Sequence, residues 1–235
     1  PFDQDSLKNL KKLKLKKIKI GSGEITDIPL LRQIGRLNLF TILSTGMSSI
    51  KEINYAVKTL LLSGLSKRKL TIMHCTSSYP TIYEEVNLRA LETLKNKFSL
   101  EVGYSDHTIG IDIPIAAVAM GAKIIEKHIT LNKRLKGPDH LCSLNPNEFK
   151  TMVNSIRIIE SSLGSKQKKI TKSEKVNKKI IRKSIYAIRD IKKGDYFTNK
   201  NIAPMRPAVG LSPYKWDKFI NKISKRNFKK DDLIK

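Results

Sequence analysis

Four histidines are the residues of this sequence best suited to hold a metal ion: His74, His107, His128 and His140. The first three end short runs of mostly β-branched residues, and the fourth lies in the loop after the last run. A lone histidine is usually a hydrogen-bonded core residue, but four on one rim favour a functional site. Neutral imidazole commonly binds divalent metals at sites that keep open positions. We expect His107 and His128 on adjacent strands at equivalent depth, which predicts a pair of metal ligands.

A second set of residues could bind an anion, because serines and a lysine stand beside glycines. The set is Lys19, Ser22, Ser44 and Ser105, and the glycines are Gly21, Gly23 and Gly46. Glycine lets the backbone approach a phosphate closely, while hydroxyls and an ammonium group donate hydrogen bonds to it. Lys127 would add a further inward cation, or could form a Schiff base with a carbonyl substrate. A Schiff-base lyase is therefore one alternative function.

Two carboxylates complete the candidate chemistry. Glu24 ends the first of the motifs, and Asp139 lies in the rigid loop Gly137-Pro138-Asp139-His140. Either could hold a polyol by hydrogen bonds or move a proton. For an isolated carboxylate, a helix cap or a surface charge would be the favoured interpretation.

The elements that must position these residues repeat one pattern. A short β-branched run ends in a small or polar cluster and precedes an amphipathic helix, at residues 18–24, 40–46, 70–78, 100–107 and 122–128. Such alternation predicts a parallel sheet with reactive groups at its strand ends. Inward side chains such as Lys19, Glu24 and the three strand-end histidines favour part of a (β/α)8 barrel over an open doubly wound sheet. Five strands alone would leave two unpaired edges.

The helices and the domain boundaries follow from capping signals and a change in composition. Ser49 and Glu52 form a capping signal, and helices are expected at residues 87–98, 114–120 and 146–163, the last ending at Gly164. Residues 1–164 are thus predicted as a partial barrel domain, 165–181 as a lysine-rich linker, and 182–235 as a small β-rich domain.

The charge of the chain suggests nucleic acid as a partner, but its aromatic content does not. Lys plus Arg number 46 against 21 Asp plus Glu, a net charge of +25, in 235 residues of which 40% are hydrophobic and 6% aromatic. The lysines are scattered, and no aromatic residues alternate with them as a stacking platform requires. We expect a solvated basic surface, with a nucleic-acid-binding module as the second alternative. Two cysteines and no apolar run long enough for a bilayer predict a cytoplasmic protein without membrane contact.

The motifs taken together resemble the sialic acid synthase family. They are residues 18–24 (IKIGSGE), 43–47 (LSTGM), 74–80 (HCTSSYP), 103–108 (GYSDHT), 126–128 (EKH) and 137–140 (GPDH). Residues 182–184 (RKS), 190–194 (DIKKG) and 205–207 (MRP) resemble its antifreeze-like, or SAF, domain. The resemblance covers essentially the whole chain.

This resemblance implies a reaction. The family condenses phosphoenolpyruvate with an N-acetylated hexose, N-acetylmannosamine or a dideoxy analogue, and releases phosphate. The product is a nine-carbon 2-keto sugar acid of the sialic or legionaminic type, made on a TIM barrel with Mn²⁺ or Mg²⁺. The enzyme would accordingly be a metal-dependent transferase that forms a carbon–carbon bond.

The resemblance also implies roles for single residues. His107 and His128 would bind the metal, and with Glu24 and Lys19 they would form the catalytic set. Phosphoenolpyruvate would be bound by Lys19, Ser22, Ser44, Ser77 and Ser105. The sugar would be bound by Glu24, Tyr79, Asp139 and Arg206. Arg206 would reach from the small domain into the partner subunit's site, in a domain-swapped homodimer.

Two further expectations come from comparing the chain with the family pattern. The chain begins at Pro1 without methionine, where the family would already have built about three of the eight barrel strands. We therefore expect residues 1–235 expressed alone to fold poorly and to be inactive. His74 in the HCTSS motif favours the sialic or legionaminic branch, since the pseudaminic branch more often has lysine there.

Overall fold

The structure, a computed structural model, describes residues 1–235 in two units, Pro1–Gly164 and Ser165–Lys235. In the first unit strands and helices alternate along the chain. The strands are β1 (Lys17–Ile20), β2 (Phe40–Ser44), β3 (Leu70–Cys75), β4 (Glu101–Asp106) and β5 (Ile125–Lys127). The helices are α1 (Gln4–Lys12), α2 (Ile28–Leu37), α3 (Ile50–Leu62), α4 (Ala90–Phe98), α5 (Asp112–Ala119) and α6 (Pro146–Leu163). No helix is long and apolar enough to cross a bilayer.

The five strands form one parallel sheet in the order β1-β2-β3-β4-β5, as the sequence pattern predicts. A flat sheet of this width would separate its edge strands by about 19 Å, at about 4.8 Å per strand. Yet Lys19 on β1 forms an ion pair with Glu126 on β5, with 3.0 Å between Nζ and Oε1. The sheet is therefore strongly curled, and its two edge strands face each other across a concave surface.

Side chains alternate between the two faces of this curled sheet. The convex face is apolar and packs against the helices through residues such as Ile20, Leu43, Ile72 and Val102. The concave face carries polar side chains, and one row of the register runs through Cys75, Ser105 and Glu126. Because neighbouring residues on a strand point to opposite faces, this register decides which side chains can meet.

The helix signals in the sequence are largely confirmed. Ser49 and Glu52 form the capping box of α3, and α6 spans the predicted residues and ends at Gly164, whose φ is 54°. Two helices differ at their ends from the prediction: α4 begins at Ala90, and α5 runs from Asp112 to Ala119. The sequence analysis did not anticipate α1; it expected a helix after the first strand, where α2 lies, but gave no bounds for it.

The C-terminal unit contains α7 (Lys172–Ile181), β6 (Ser184–Ala187), β7 (Ile202–Met205) and α8 (Trp216–Phe219). β6 and β7 pair antiparallel over a small apolar core that includes Ile185, Phe197 and Phe228. Most of the segment predicted as a linker is the helix α7, which begins with a capping box of Thr171 and Glu174. Its last turn is tied to this unit, because the amide of Ala208 donates to the carbonyl of Lys179 at 2.9 Å.

Candidate active site

The carboxyl ends of the strands open into a cleft of about 520 Å³ on the concave side of the sheet. This volume is typical of a small-molecule site. The lining residues include most of those singled out from the sequence: Lys19, Ser22, Glu24, Ser44, Ser77, Tyr79, Ser105, His107 and His128. Cys75 and Glu126 also line the cleft.

One end of the cleft brings together hydroxyl groups, a thiol and a glycine, an arrangement that could bind an oxyanion. The Oγ of Ser22 accepts a hydrogen bond from the amide of Gly46 at 3.0 Å and lies 3.2 Å from the Sγ of Cys75. Ser44 is 1% exposed, and its Oγ has no hydrogen-bond partner in the protein. These residues, together with Ser77, are called the anion cradle: Ser22, Ser44, Gly46, Cys75 and Ser77.

Gly46 keeps the anion cradle open. A Cβ built on Gly46 would lie 2.9 Å from the Oγ of Ser22 and 3.0 Å from the Sγ of Cys75, and it would overlap the Oγ of Ser77. The backbone at Gly46 is not left-handed, so the need for glycine here comes from space and not from φ. Hydroxyls, a thiol and an open volume thus meet where a ligand oxygen could be bound.

Lys19 lies on the concave face and is held by Glu126. The Oγ of Ser105 also donates to Glu126, with 2.7 Å to Oε1. Burial would raise the pKa of Glu126, but hydrogen bonds from Ser105 and Lys19 outweigh it, and the pKa is lowered. The carboxylate is therefore ionised at neutral pH and balances the charge of Lys19.

The imidazoles of His107 and His128 meet on the same side of the cleft, with 5.3 Å between ring centroids. The Nδ1 of His107 lies 2.7 Å from the carbonyl oxygen of Thr76, which can only accept, so Nδ1 carries the proton. Burial lowers the pKa of His107, so the ring is neutral. Its unprotonated Nε2 lies 3.5 Å from the Oγ of Ser105. Tyr79 packs on His107 with 4.1 Å between centroids.

These two imidazoles fit a divalent metal by the chemistry of their donor atoms. A backbone carbonyl that fixes the tautomer of a histidine is the usual support for a metal ligand. The structure brings no third His, Cys, Asp or Glu side chain into a metal-binding group with them. Two ligands plus open positions therefore stays a prediction of the sequence analysis.

Two predicted sugar-binding residues are not among the residues that line the cleft. Asp139 stands beside one of the imidazoles, with 3.6 Å between its Oδ2 and the Nδ1 of His128. Arg206 belongs to the C-terminal unit, where its side chain is exposed and its Nε donates to the carbonyl of Ile181 at 2.7 Å. No carboxylate pairs with the guanidinium group of Arg206.

The expected rim of four histidines is wrong, because only His107 and His128 face the cleft. His74 points to the helical side, where its Nε2 donates to the carbonyl of Val86 at 2.8 Å. The Nδ1 of His140 lies 2.8 Å from the hydroxyl of Thr130. The reason at His74 is strand alternation, since the adjacent Cys75 occupies the inward position.

Lys127 is likewise not an inward cation. Its side chain is fully buried on the convex side, where Nζ pairs with Asp106 at 2.6 Å. The neighbouring Glu126 and His128 take the inward positions on this strand. A Schiff base at Lys127 is therefore not supported, because the amine is ionically paired and does not reach the cleft.

Glu126 and Cys75 are site residues that the sequence analysis did not assign. The signal for Glu126 was present, because it lies two residues before His128 and must share its face of the strand. By the same alternation Met73 and Cys75 share the inward face of β3, and His74 lies on the opposite face.

Comparison with known proteins agrees with the motifs. The NeuB family matches residues 1–168, and the SAF domain matches residues 182–235. The chain is 48% identical to the N,N'-diacetyllegionaminic acid synthase of Campylobacter jejuni, covering all of this chain and 70% of that protein. It is 37% identical to the pseudaminic acid synthase of the same organism, covering all of this chain and 68% of that protein.

A solved structure shares the fold. The N-acetylneuraminic acid synthetase of Leptospira borgpetersenii, solved in complex with citrate, is 39% identical with a TM-score of 0.70. The match covers 75% of this chain and 61% of that one. The curled sheet is thus a part of the TIM-barrel type of fold, as expected. The chain belongs to the NeuB family, with a SAF domain at residues 182–235.

Proposed function

We propose that this chain carries the active site of a transferase that condenses phosphoenolpyruvate with an N-acetylated hexose, N-acetylmannosamine or a dideoxy analogue. The observation that carries the proposal is the cleft itself, where the anion cradle and Lys19 face the imidazoles of His107 and His128. In the reaction C3 of phosphoenolpyruvate bonds to the aldehyde carbon of the sugar. Water adds to C2, the bond from C2 to the phosphate oxygen breaks, and a nine-carbon 2-keto acid and phosphate leave.

The anionic substrate would be held by the anion cradle, Lys19 and Ser105. The unpartnered hydroxyl of Ser44 supports this assignment, since a buried donor without an acceptor is costly and a ligand oxygen would satisfy it. Lys19 is about one-third exposed on the cleft side and can exchange Glu126 for a substrate oxygen. Charge-assisted hydrogen bonds from such donors are about twice as strong as neutral ones.

His107 and His128 would hold a divalent cation, Mn²⁺ or Mg²⁺. When bound there, the cation would polarise the sugar aldehyde toward attack by C3. The charges of the side chains that line the cleft support a positive ion at this position. Lys19 is balanced by Glu126 and His107 is neutral, so the lining side chains of this chain have little surplus positive charge for a multiply charged substrate.

The sugar would lie between the imidazoles and the mouth of the cleft. Tyr79 offers a ring face and a hydroxyl there, and Glu24 offers a carboxylate that can bind sugar hydroxyls or move a proton. Asp139 would bind the sugar from beside His128. The higher identity to the legionaminic acid synthase, 48% against 37% for the pseudaminic acid synthase, favours an acceptor of the sialic or legionaminic type.

A phosphate-release assay on the full-length gene product tests the proposal, with phosphoenolpyruvate, a panel of N-acetylated sugars, and metal or chelator. We expect turnover with one or more sugars, lost on chelation, and loss of turnover in both His107→Ala and His128→Ala. Retained activity in either variant would reject the metal ligands. His140→Ala is the matched control, since this imidazole lies outside the cleft.

The two alternative functions give different results. A Schiff-base lyase would be trapped by borohydride as a covalent adduct at Lys19, the lysine that lines the cleft, whereas the synthase forms none. A nucleic-acid-binding module would bind polynucleotides with an affinity that falls steeply with salt. Turnover that depends on phosphoenolpyruvate, without either signature, excludes both.

Arg206 is proposed to bind the N-acyl group in the partner subunit's site of a homodimer. The support is that its guanidinium group is exposed and pairs with no carboxylate of this chain. Mixing Arg206→Ala protomers with His107→Ala protomers tests this arrangement. A mixed dimer has one site with both residues intact only if Arg206 serves the partner, so activity should reappear. No recovery in mixed dimers that have been shown to form would reject it.

A further inference from the structure

The ends of β4 and β5 are joined on the convex side by a buried ion pair. The Nζ of Lys127 lies 2.6 Å from the Oδ2 of Asp106, and neither side chain is exposed. Lys127 also donates to the carbonyl of Thr108. The Oδ1 of Asp106 accepts from the amide of Thr108 at 3.1 Å and from the hydroxyl of Tyr104 at 3.3 Å. Both buried charges are thus fully engaged.

This ion pair stands at the last rung of the strand ladder. The pairing of β4 with β5 ends where Asp106 faces Lys127. The next residues along the two strands are His107 and His128. Because side chains alternate, the ion pair points to the helical side while both imidazoles point into the cleft. The separation of the two strand ends, and with it that of the imidazoles, is fixed at this rung.

Stability alone does not require such a pair. Burying two charges costs several kcal/mol of desolvation for each, and an apolar pair of similar volume is often as stable or more so. What a directional ion pair adds is position, since its hydrogen bonds fix the two backbones more narrowly than apolar packing. β5 has only three residues, so its own ladder gives little support.

We propose that Asp106 and Lys127 are positioning residues that set the spacing of His107 and His128 for binding one divalent cation. The role of the cation rests on the proposed function. The control of imidazole position does not, and it can be measured separately.

The test is the double variant Asp106→Leu/Lys127→Met in the full-length gene product, which replaces the charges by apolar groups of similar volume. Titration with Mn²⁺ alone, followed by electron paramagnetic resonance of the free ion, measures affinity without turnover. Loss of a residue that supports a metal ligand typically weakens metal binding about 10- to 100-fold, and we expect a change in that range. The control Arg157→Met/Glu160→Gln removes an exposed ion pair of α6 and should leave affinity unchanged.

The second readout uses the four histidines as internal probes. In ¹⁵N-histidine-labelled protein, long-range ¹H–¹⁵N spectra report the tautomer and environment of each ring. The double variant should move or broaden the signals of His107 and His128 and leave that of His140 in place. His74 is not a control, because its ring packs on Tyr104, whose hydroxyl donates to Asp106. A folded variant with wild-type Mn²⁺ affinity and unchanged ring signals of His107 and His128 would overturn the proposal.

Two outcomes of these experiments need their own interpretation: a double variant that does not fold, and a wild-type protein that binds no Mn²⁺. If the double variant does not fold, Asp106→Asn/Lys127→Met replaces it, because the amide can still bind Thr108 and Tyr104 and no unpaired charge is left buried; the same criteria apply. If the wild-type protein binds no Mn²⁺, the metal part of the proposed function fails. The ring signals then decide the positioning role alone.

Discussion

Replacing Gly46 by alanine probes the anion cradle with a single methyl group. The new Cβ would lie 2.9 Å from the Oγ of Ser22 and 3.0 Å from the Sγ of Cys75, and would overlap the Oγ of Ser77. Ordinary contact begins near 3.4 Å, so each of these groups must move by several tenths of an ångström. The methyl group would also occupy volume that a ligand oxygen needs.

The expected loss follows from the hydrogen bonds that an anion would make there. A hydrogen bond to a charged group contributes about 1.5–3 kcal/mol, so losing two would cost about 3–6 kcal/mol. Since 1.4 kcal/mol corresponds to a factor of ten, kcat/KM for phosphoenolpyruvate should fall about 100-fold or more. Folding should be little affected, because the backbone of Gly46 lies outside the left-handed region.

The assay is phosphate release by the full-length gene product at saturating sugar, with phosphoenolpyruvate varied. Gly23→Ala is the matched control, because Gly23 lines the same cleft but a Cβ there would meet nothing within 4 Å. Circular dichroism and a thermal melt establish that both variants fold. A folded Gly46→Ala enzyme whose kcat/KM lies within threefold of wild type would refute the anion cradle.

Three further predictions concern charge, capping and pH. Glu126→Gln should tighten inhibition by inorganic phosphate a few-fold, because Lys19 loses its competing carboxylate; weaker inhibition would contradict the pairing. Asn145→Ala should lower the free energy of unfolding by about 1 kcal/mol by removing the cap of α6, whereas Ser66→Ala, whose side chain caps nothing, should not. Burial lowers the pKa of His74 below 6.5, so as the pH falls the unfolded chain binds this proton before the folded protein does, and the free energy of unfolding decreases below about pH 6.5. Urea melts at pH 7.5 and 5.5 measure this decrease, which should be smaller in His74→Gln.

Much of the sheet could be predicted because its strands carry a strong local signal. Five β-branched runs, each followed by polar residues and a helix, predict a sheet of parallel strands from local sequence alone. The clear caps at Ser49 and Gly164 fixed the ends of two helices for the same local reason. In contrast, α1 and α7 are rich in lysine and have few apolar residues, so their helical pattern was hidden by charge.

The site was harder to predict, because it depends on the face each residue occupies. His107 lies inside and the equally suggestive His74 outside, and only the phase of the alternation separates them. For the same reason the sequence analysis assigned the inward position to Lys127, whereas the structure places Glu126 in the cleft and Lys127 on the convex side. The curl that brings Glu126 to Lys19 is a property of the whole sheet, and no local pattern encodes it.

In the proposed function, the unpartnered hydroxyl of Ser44 would couple the folding stability of the protein to the concentration of its anionic substrate. A hydroxyl buried without an acceptor destabilises the empty state by about 1–3 kcal/mol, and a bound oxyanion removes that penalty. The relieved penalty is part of the binding free energy, so the folded population would rise with the concentration of the anion through the ordinary linkage of binding to folding. Selection for stability of the ligand-free protein would favour alanine at position 44, whereas selection for catalysis would favour serine.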